Sequence, residues 1–277
     1  MPNLRASRRG DLILDVDHRG RLAIVTGGAR GIGKSIARLL SRDGAKVAIF
    51  YNRSANDAHQ LVEEAAQAGR SLTAHQCDLR DASSLEAAIL EATQIHGPAQ
   101  ILVHNAGITN GSPMLGANVA GMREVFEVNF WSAVVATKAV LRDMLRSKFG
   151  RVIYIGSPAA TSWATQGNTA YAASKAALHA MARQVAAEIS PRGNLTANVV
   201  APGYIRTDMT KHFARDYENA ILGTMCSERA GTPDEIGEVV SFVASENASY
   251  MTGSVLEVDG GFGLKTISRR KNRREAE

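Results

Sequence analysis

The segment RLAIVTGGARGIGKSIARLL, residues 21–40, decides the fold. It begins as a short run rich in β-branched residues, passes through a glycine-rich turn, and continues as a helical pattern from Gly31. Glycines in such a turn allow close backbone approach, and the following helix N-terminus offers free N–H groups to a pyrophosphate. The segment predicts a nucleotide site, although the spacing of Gly27, Gly31 and Gly33 is wider than G-x-G-x-x-G, and glycines also serve simple turns.

The alternation of strand-like and helical patterns continues along the chain. The apolar, strand-like runs cover residues 21–27, 45–51, 71–76, 100–107, 150–157, 195–203 and 253–261. The helical patterns cover residues 31–42, 54–69, 81–96, 117–148, 169–190 and 232–245. Apolar strands separated by helices indicate a parallel sheet covered on both faces. We therefore predict one α/β domain over residues 20–263, with a Rossmann-type, doubly wound sheet of seven parallel strands and helices on both faces.

Three segments fall outside this alternation. Residues 1–19 are expected to form an N-terminal arm. Residues 204–229 are a long segment with little strand pattern, and long loops inside compact domains often act as lids. Residues 264–277 carry six basic residues against two glutamates, a net charge of +4. Such a tail can be an interaction arm, but we predict a disordered end that the chemistry does not need.

Composition limits the class of protein. The chain is 45% hydrophobic and 21% charged, ordinary values for a globular protein with a sizeable core. No stretch reaches the roughly 18 apolar residues of a membrane span, and the first residues lack the apolar region of a secretory signal. We expect a cytoplasmic protein with no membrane partner. The net charge of +5 is a hint of a nucleic-acid partner, but the tail holds most of it, which weakens the hint, and we expect no such partner.

The two cysteines, Cys77 and Cys226, match no metal-binding or redox spacing and are expected to be free thiols.

Two arginines indicate the form of the dinucleotide. NAD-specific sites usually place an acid at the end of the second strand. Here residues 50–54 read FYNRS, with Asn52 and Arg53 but no acid, and Arg30 lies in the glycine loop. Two cations and no anion favour a 2′-phosphate, so we predict NADPH/NADP+ as cofactor. The alternative is that Arg53 simply points to solvent.

The stretch AYAASKAAL, residues 170–178, places Tyr171 and Lys175 one turn apart on the same helix face. Most such pairs are a tyrosine packed along a lysine stem on a solvated helix. Alternatively, the ammonium group favours the phenolate and lowers a pKa that is ordinarily near 10. A phenol altered in this way could serve as a general acid or base near neutral pH.

The motifs TGGARGIG, CDL, HNAG, NF, IGS, YAASK and APGYIRT occur in this order and spacing. With them the chain resembles the short-chain dehydrogenase/reductase family from about Gly20 to Gly263. NAGIT, GYIRTDMT and TGSVLEVDGG make it most similar to the 3-oxoacyl-(acyl-carrier-protein) reductase group. The resemblance implies an NADPH-dependent ketoreductase acting on a 3-oxoacyl or polyketide-type β-keto substrate, held on acyl carrier protein or CoA. A free small ketone or alcohol remains open as substrate, as does a non-catalytic NADP-binding regulator.

The resemblance also implies roles for matching positions. The catalytic positions are Asn129, Ser157, Tyr171 and Lys175. The cofactor positions include the glycine loop and the two arginines discussed above. They are Gly27, Arg30, Gly31, Ile32, Gly33, Asn52, Arg53, Asp78, Leu79, Asn105, Ala106, Gly107, Tyr171, Lys175, Pro202, Gly203, Ile205 and Thr207. Asp78 is expected to bond the adenine. No metal is needed, because the hydride chemistry belongs to the cofactor.

In this scheme Tyr171 gives its proton to the carbonyl oxygen and Ser157 donates a second hydrogen bond to it. Lys175 bonds the nicotinamide ribose, and Asn129 holds a water that connects Lys175 to solvent.

Some positions depart from the family pattern or bear on the substrate. His104 stands where the family most often has Asn, and we expect a packed, hydrogen-bonded residue without chemistry. Pro158 follows Ser157 directly and is placed to reshape the substrate wall. The apolar side chains that could line a substrate pocket, or only fill the core, are Trp163, Met209 and Met225.

Basic residues and apolar helix faces indicate partners. Lys148 and Arg192 occupy positions that are basic in the carrier-protein reductases, and Arg151 lies near the first. They are candidate contacts for an acidic carrier protein near the active-site mouth, although basic residues are also common at helix C-termini. Surplus apolar residues in the helices at 117–148 and 169–190, with the resemblance, predict a homotetramer.

Overall fold

The computed structural model describes residues 4–6, 12–14, 16–208, 210 and 215–264. The expectations for Met209 and for residues 265–277 of the tail lie outside the described residues. The N-terminal arm contains a short antiparallel pair, β1 (Leu4–Ala6) and β2 (Leu12–Leu14). The sequence patterns did not predict this pair.

A seven-stranded, entirely parallel sheet forms the centre of the protein. Its strands are β3 (Leu22–Thr26), β4 (Lys46–Tyr51), β5 (Leu72–Gln76), β6 (Ala99–His104), β7 (Phe149–Ile155), β8 (Asn194–Pro202) and β9 (Val255–Val258). They lie side by side in the order β5-β4-β3-β6-β7-β8-β9, which confirms the predicted doubly wound sheet. The order reverses between β3 and β6, and ligands of such sheets bind in the crevice at the carboxyl ends there.

Eight α-helices surround this sheet in the described part of the chain. They are α1 (Gly31–Arg42), α2 (Ala55–Gln67), α3 (Ala82–His96), α4 (Val119–Phe126), α5 (Ser132–Ser147), α6 (Thr169–Ile189), α7 (Arg215–Gly223) and α8 (Pro233–Ala244). Successive strand residues point to opposite faces. Leu22 and Ile24 accordingly join the apolar cluster under α3, α5 and α6, whereas Ala23 and Val25 join the cluster under α1, α2 and α8.

The helix predicted over residues 117–148 is wrong as a continuous element. The structure has α4, then a π-helical turn at Glu127–Trp131, then α5. No proline or glycine marks the interruption in the sequence. A π turn within a helix often lies at a functional site, and this one carries Asn129.

The segment at residues 204–229 is less irregular than its sequence indicated, because it contains α7. Tyr204, Ile221 and Met225 form a small buried cluster there, against which the half-buried Trp163 and Phe262 pack. The rings of Trp163 and Phe262 lie 5.1 Å apart, centroid to centroid. Met225 and Trp163 therefore belong to the same apolar cluster. Their part in lining a substrate pocket and the lid role of the segment stay predictions.

Two simpler expectations can be compared with the described residues. Cys77 is buried, Cys226 is exposed, and both are free thiols, as predicted. Within the described ranges, no helix is both long enough and apolar enough to cross a membrane.

Candidate active site

The glycine loop after β3 has the geometry of a phosphate cradle. Gly27 and Gly31 adopt left-handed backbone angles, with φ of +63° and +54°, which glycine adopts without steric cost. A Cβ atom on Gly33 would lie 2.1 Å from the carbonyl oxygen of Gly27. Helix α1 begins at Gly31 with Arg30 at its N-cap, and no side chain caps it. Its first N–H groups are therefore available to an anion, and the loop fits a pyrophosphate.

The loop after β6 is tied to this cradle across the crevice. The Asn105 amide nitrogen donates to the carbonyl oxygens of Thr26, at 3.0 Å, and Gly27, at 3.1 Å. The Thr26 hydroxyl oxygen accepts from the backbone N–H groups of Asn105 and Ala106, both at 3.1 Å. These four bonds fix Gly27, Asn105 and Ala106 in one unit at the reversal of strand order.

The predicted adenine contact, Asp78, has a partner that the sequence analysis missed. Arg80 donates from Nε to Asp78 Oδ1 at 3.0 Å and from Nη2 to Oδ2 at 2.5 Å, and it also bonds Glu124 of α4 at 2.9 Å. The hydrogen bonds from Arg80, with a smaller contribution from the charge of Arg53, lower the pKa of Asp78. Arg80 therefore holds this carboxylate ionised at the rim of the crevice. The signal was the basic residue two positions after Asp78.

The other positions predicted to bind the cofactor lie near the ends of β3, β4 and β5, and their cofactor contacts stay predictions. Arg30 and Arg53 are exposed, and Leu79 packs against the core cluster beneath α3. The carbonyl oxygen of Asn52 accepts from Gln76 at 2.9 Å. Ile32 packs against the opposite cluster.

Lys175 of α6 and Asn129 of the π turn lie close together near the carboxyl ends of β7 and β6. Lys175 is 2% exposed, and its Nζ donates to the carbonyl oxygen of Ile155 at 2.8 Å. Burial lowers the pKa of Lys175 to about 8. A Cβ atom on Gly107 would lie 3.2 Å from Lys175 Nζ and 3.4 Å from Asn129 Oδ1. Gly107 thus leaves room for both side chains to approach the same point.

Asn129 is fully buried and grips the loop after β6. Its Oδ1 accepts from the N–H of Ile108 at 2.8 Å, and its Nδ2 donates to the carbonyl oxygen of Ile108 at 3.0 Å. The same Nδ2 donates to the Ser174 hydroxyl at 3.0 Å. These contacts fix the Asn129 side chain beside Lys175, and its predicted role and water contact stay predictions.

Tyr171 lies within hydrogen-bond reach of Ser157, and its pKa does not follow the prediction. Burial raises the pKa of the Tyr171 phenol, and the hydrogen bond with Ser157 lowers it only in part. Lys175 Nζ lies 5.7 Å from the centroid of the Tyr171 ring, and its ammonium is engaged by Ile155. In the protein alone, desolvation of the phenol therefore dominates and the pKa is raised. The predicted lowering, to which the charge of an oxidised nicotinamide also contributes, stays a prediction for the complex.

The segment after β8 closes the other side of the crevice. Pro202 ends β8, and a Cβ atom on Gly203 would lie 2.6 Å from the Cα of Asp259. Ile205 is buried, and the side chain of Thr207 would lie 3.7 Å from a Cβ atom on Gly31. The predicted nicotinamide segment therefore returns to the phosphate cradle.

The predicted carrier-protein contacts do not border this chain's own site. Arg151 is fully buried, so its assignment as a surface contact is wrong. Its guanidinium donates to the carbonyl oxygens of Gly150 (2.9 Å), Asn194 (2.8 Å) and Ser245 (3.1 Å). Arg151 therefore joins β7, β8 and the end of α8.

Lys148 and Arg192 are exposed but lie at the wrong edge of the sheet. Lys148 precedes β7 and Arg192 precedes β8, and Lys148 Nζ donates to the carbonyl oxygen of Arg192 at 3.3 Å. Ser157 follows the opposite, carboxyl end of β7. Seven extended residues span roughly 23 Å, so this basic pair is remote from the site of its own chain.

Comparison with known proteins agrees with this geometry. A family model described as Enoyl-(Acyl carrier protein) reductase matches residues 27–263. The 3-oxoacyl-[acyl-carrier-protein] reductase MabA of Mycobacterium tuberculosis is 40% identical over 244 residues, 88% of this chain and 93% of MabA. The reductase FabG of Escherichia coli is 37% identical over 246 residues, 89% of this chain and 98% of FabG.

A solved structure extends the likeness. A blue fluorescent protein from a metagenomic library, in complex with NADPH, has a TM-score of 0.83 and 37% identity, covering 88% of this chain and 98% of that one. The fold and the site thus define a Rossmann-type oxidoreductase with a dinucleotide crevice. The chain belongs to the short-chain dehydrogenase/reductase family and is related to the 3-oxoacyl-(acyl-carrier-protein) reductases.

Burial of Lys175 predicts a pH dependence of stability. The ordinary lysine pKa is 10.5 and the folded value is about 8, so between these values the unfolded chain binds more protons and stability rises with pH. The substitution Lys175→Met removes this pH-dependent contribution to the free energy of unfolding. We expect the variant's stability relative to wild type to fall by roughly 2 kcal/mol from pH 7 to pH 10. Denaturant unfolding of both proteins at each pH measures the difference, and a constant difference would contradict the lowered pKa.

Proposed function

We propose that this protein is an NADPH-dependent ketoreductase that reduces a β-keto group of 3-oxoacyl type, carried on acyl carrier protein or CoA. The observation that carries the proposal is the convergence of Lys175 and Asn129 at Gly107, beside the Tyr171–Ser157 pair. This convergence lies at the same sheet edge as the uncapped start of α1. The relatives named as 3-oxoacyl reductases support the substrate class.

The chain's own groups fit the proton chemistry of ketone reduction. NADPH supplies the hydride when bound. Because burial raises the pKa of Tyr171, the phenol keeps its proton at neutral pH and can donate it to the carbonyl oxygen as negative charge develops there. The Ser157 oxygen accepts from the N–H of Ala159 at 3.2 Å. Its hydroxyl hydrogen, which bonds Tyr171 in the protein alone, would turn to the same carbonyl oxygen when substrate binds.

Lys175 is proposed to orient the cofactor. An ammonium group has three N–H donors, and Ile155 accepts from one of them. The other donors face the space above Gly107, where ribose hydroxyls of the nicotinamide nucleoside would accept them. Asn129 holds the Ile108 backbone and with it the loop that borders this space.

The direct test of this function is Tyr171→Phe. The variant loses the proton donor and keeps the ring, so turnover of a β-ketoester should fall by roughly 10²–10⁴-fold. NADPH binding, measured by nucleotide fluorescence, should remain nearly unchanged. Tyr154→Phe is the matched control, because it removes a buried hydroxyl that bonds Thr137 in the core at 2.9 Å; it should retain turnover. Ketone reduction by Tyr171→Phe at the wild-type rate would refute the proposed mechanism.

The cofactor's 2′-phosphate is proposed to bind Arg30 and Arg53. Both side chains are exposed, Arg30 at the start of α1 and Arg53 just after β4. Hydrogen bonds to charged groups contribute about 1.5–3 kcal/mol each. The double Arg30→Ala, Arg53→Ala variant should lose most of the preference for NADPH over NADH and keep its NADH activity. Arg38→Ala is the control, because Arg38 lies on α1 but pairs with Asp234 at 2.7 Å. The ratio of kcat/KM for the two cofactors measures the preference, and a wild type that uses NADH better refutes the assignment.

A homotetramer is proposed from exposed apolar side chains together with the relatedness to the oxoacyl reductases. Leu115, Val119 and Trp131 are more than half exposed around α4 and the π turn, and Tyr250 is fully exposed before β9. Such side chains usually mark interfaces when they form patches, and tetramers of this kind combine two-fold contacts. Light scattering at micromolar concentration should give four times the chain mass of 29.6 kDa. A monomeric mass contradicts the proposal.

A further inference from the structure

The π turn that carries Asn129 depends on a hydroxyl group. In this turn the backbone N–H of Ser132 donates to the carbonyl oxygen of Glu127. In a regular α-helix it would donate to Val128, four residues back. The Ser132 hydroxyl donates to that Val128 carbonyl oxygen instead, at 2.6 Å. The side chain thus replaces the backbone bond that the π turn removes.

His104 completes this arrangement from the end of β6. Its Nε2 lies 2.8 Å from the Ser132 hydroxyl oxygen. Because the single hydroxyl hydrogen is already donated to Val128, Nε2 must be the donor in this bond. His104 is fully buried, and its Nδ1 has no hydrogen-bond partner among the described residues. Burial, with the nearby charge of Lys175, lowers the pKa of His104 to about 3, so the ring stays neutral.

The turn is therefore attached to β6 and its following loop at two points. His104 holds Ser132 and, through it, Val128, while the next residue, Asn129, holds both backbone groups of Ile108. A return to regular α-helix would shift the register within the turn, and one residue of shift rotates a side chain by about 100°. Such a rotation would turn Asn129 away from Gly107 and Lys175.

We propose that His104, acting through Ser132, is a positioning residue that fixes the π turn and so places Asn129 beside Lys175. The proposal rests on the proposed ketoreductase function, because it assigns His104 a role in that site. Because His104 is fully buried, it acts through Ser132 and not by contact with substrate or cofactor. This role differs from the sequence-based expectation, which was a packed, hydrogen-bonded histidine without chemistry.

The test compares His104→Leu, Ser132→Ala and His104→Gln with wild type. A displacement of about 1 Å at a reacting site can cost roughly 10²-fold in rate, so the first two variants should lower kcat for a β-ketoester by about 10–100-fold. The KM for NADPH should change little. His104→Gln keeps an N–H donor at a similar reach and should recover most of kcat.

A matched control is present at the opposite edge of the sheet. His18 is also fully buried, its Nε2 lies 3.1 Å from the Ser241 hydroxyl, and its Nδ1 likewise lacks a partner among the described residues. His18→Leu and Ser241→Ala should lower the melting temperature yet leave kcat unchanged. Equal loss of kcat in these controls would mean that general destabilisation explains the effect, and it would overturn the proposal.

Hydrogen exchange gives a second readout that does not need catalysis. Amide protection at Ile108 and across residues 127–132 should fall in His104→Leu and Ser132→Ala but not in His18→Leu. Unchanged protection, or an unchanged kcat in Ser132→Ala, overturns the proposal. If wild type reduced no ketone, the proposed function would fail, and the exchange pattern alone would then decide whether His104 fixes the turn.

Discussion

The buried ammonium group of Lys175 is the constraint on which the site depends. Burying a charge is costly unless polar partners replace water, and here the carbonyl oxygen of Ile155 is its hydrogen-bond acceptor among the described residues. A Cβ atom on Gly107 would lie 3.2 Å from Lys175 Nζ, so the ammonium group borders the crevice there. A polar ligand that supplies acceptors there would relieve the desolvation and stabilise the folded state. The same buried charge that destabilises the free protein is thus consistent with the proposed ribose contact at this position.

Lys175 can occupy this place because the sheet delivers every other part of the site to one edge. The carboxyl ends of β3, β6, β7 and β8 carry the glycine loop, Gly107, Ser157 and Gly203 in turn. Helix α6 then brings Tyr171 and Lys175 back across the end of β7. Since all seven strands are parallel, any residue that precedes a strand lies at the other edge, which is why Lys148 and Arg192 are remote from their own chain's site.

Sequence patterns predicted the parts of this structure that local chemistry determines. Apolar β-branched runs defined the strands, and the spacing of Tyr171 and Lys175 on one helix face was correct. They failed where a contact between distant segments overrides the local pattern. The π turn depends on His104, which lies 28 positions from Ser132, and nothing in the sequence around Asn129 reports it.

The surroundings of several polar and charged side chains were not predicted from the sequence for the same reason. Arg151 looks like a surface cation, but carbonyl groups from β8 and from the end of α8 enclose it. Asp78 carries an ion pair with Arg80 that the sequence analysis did not include, and its bond to adenine stays a prediction. The pKa of Tyr171 depends on how deeply the phenol is buried, which helix spacing cannot indicate. Burial is a property of the assembled fold, so the surroundings of Arg151 and Tyr171 became visible only in the structure.

The most direct measurement of the central claim is a single turnover with NADPH deuterated at C4 of the nicotinamide and a β-ketoester as acceptor. Mass spectrometry and NMR of the alcohol product locate the label. We expect one deuterium on the carbinol carbon from one of the two C4 positions, because the proposed contacts would hold the cofactor in one orientation. An alcohol without deuterium from either C4 label, or no alcohol at all, would contradict it.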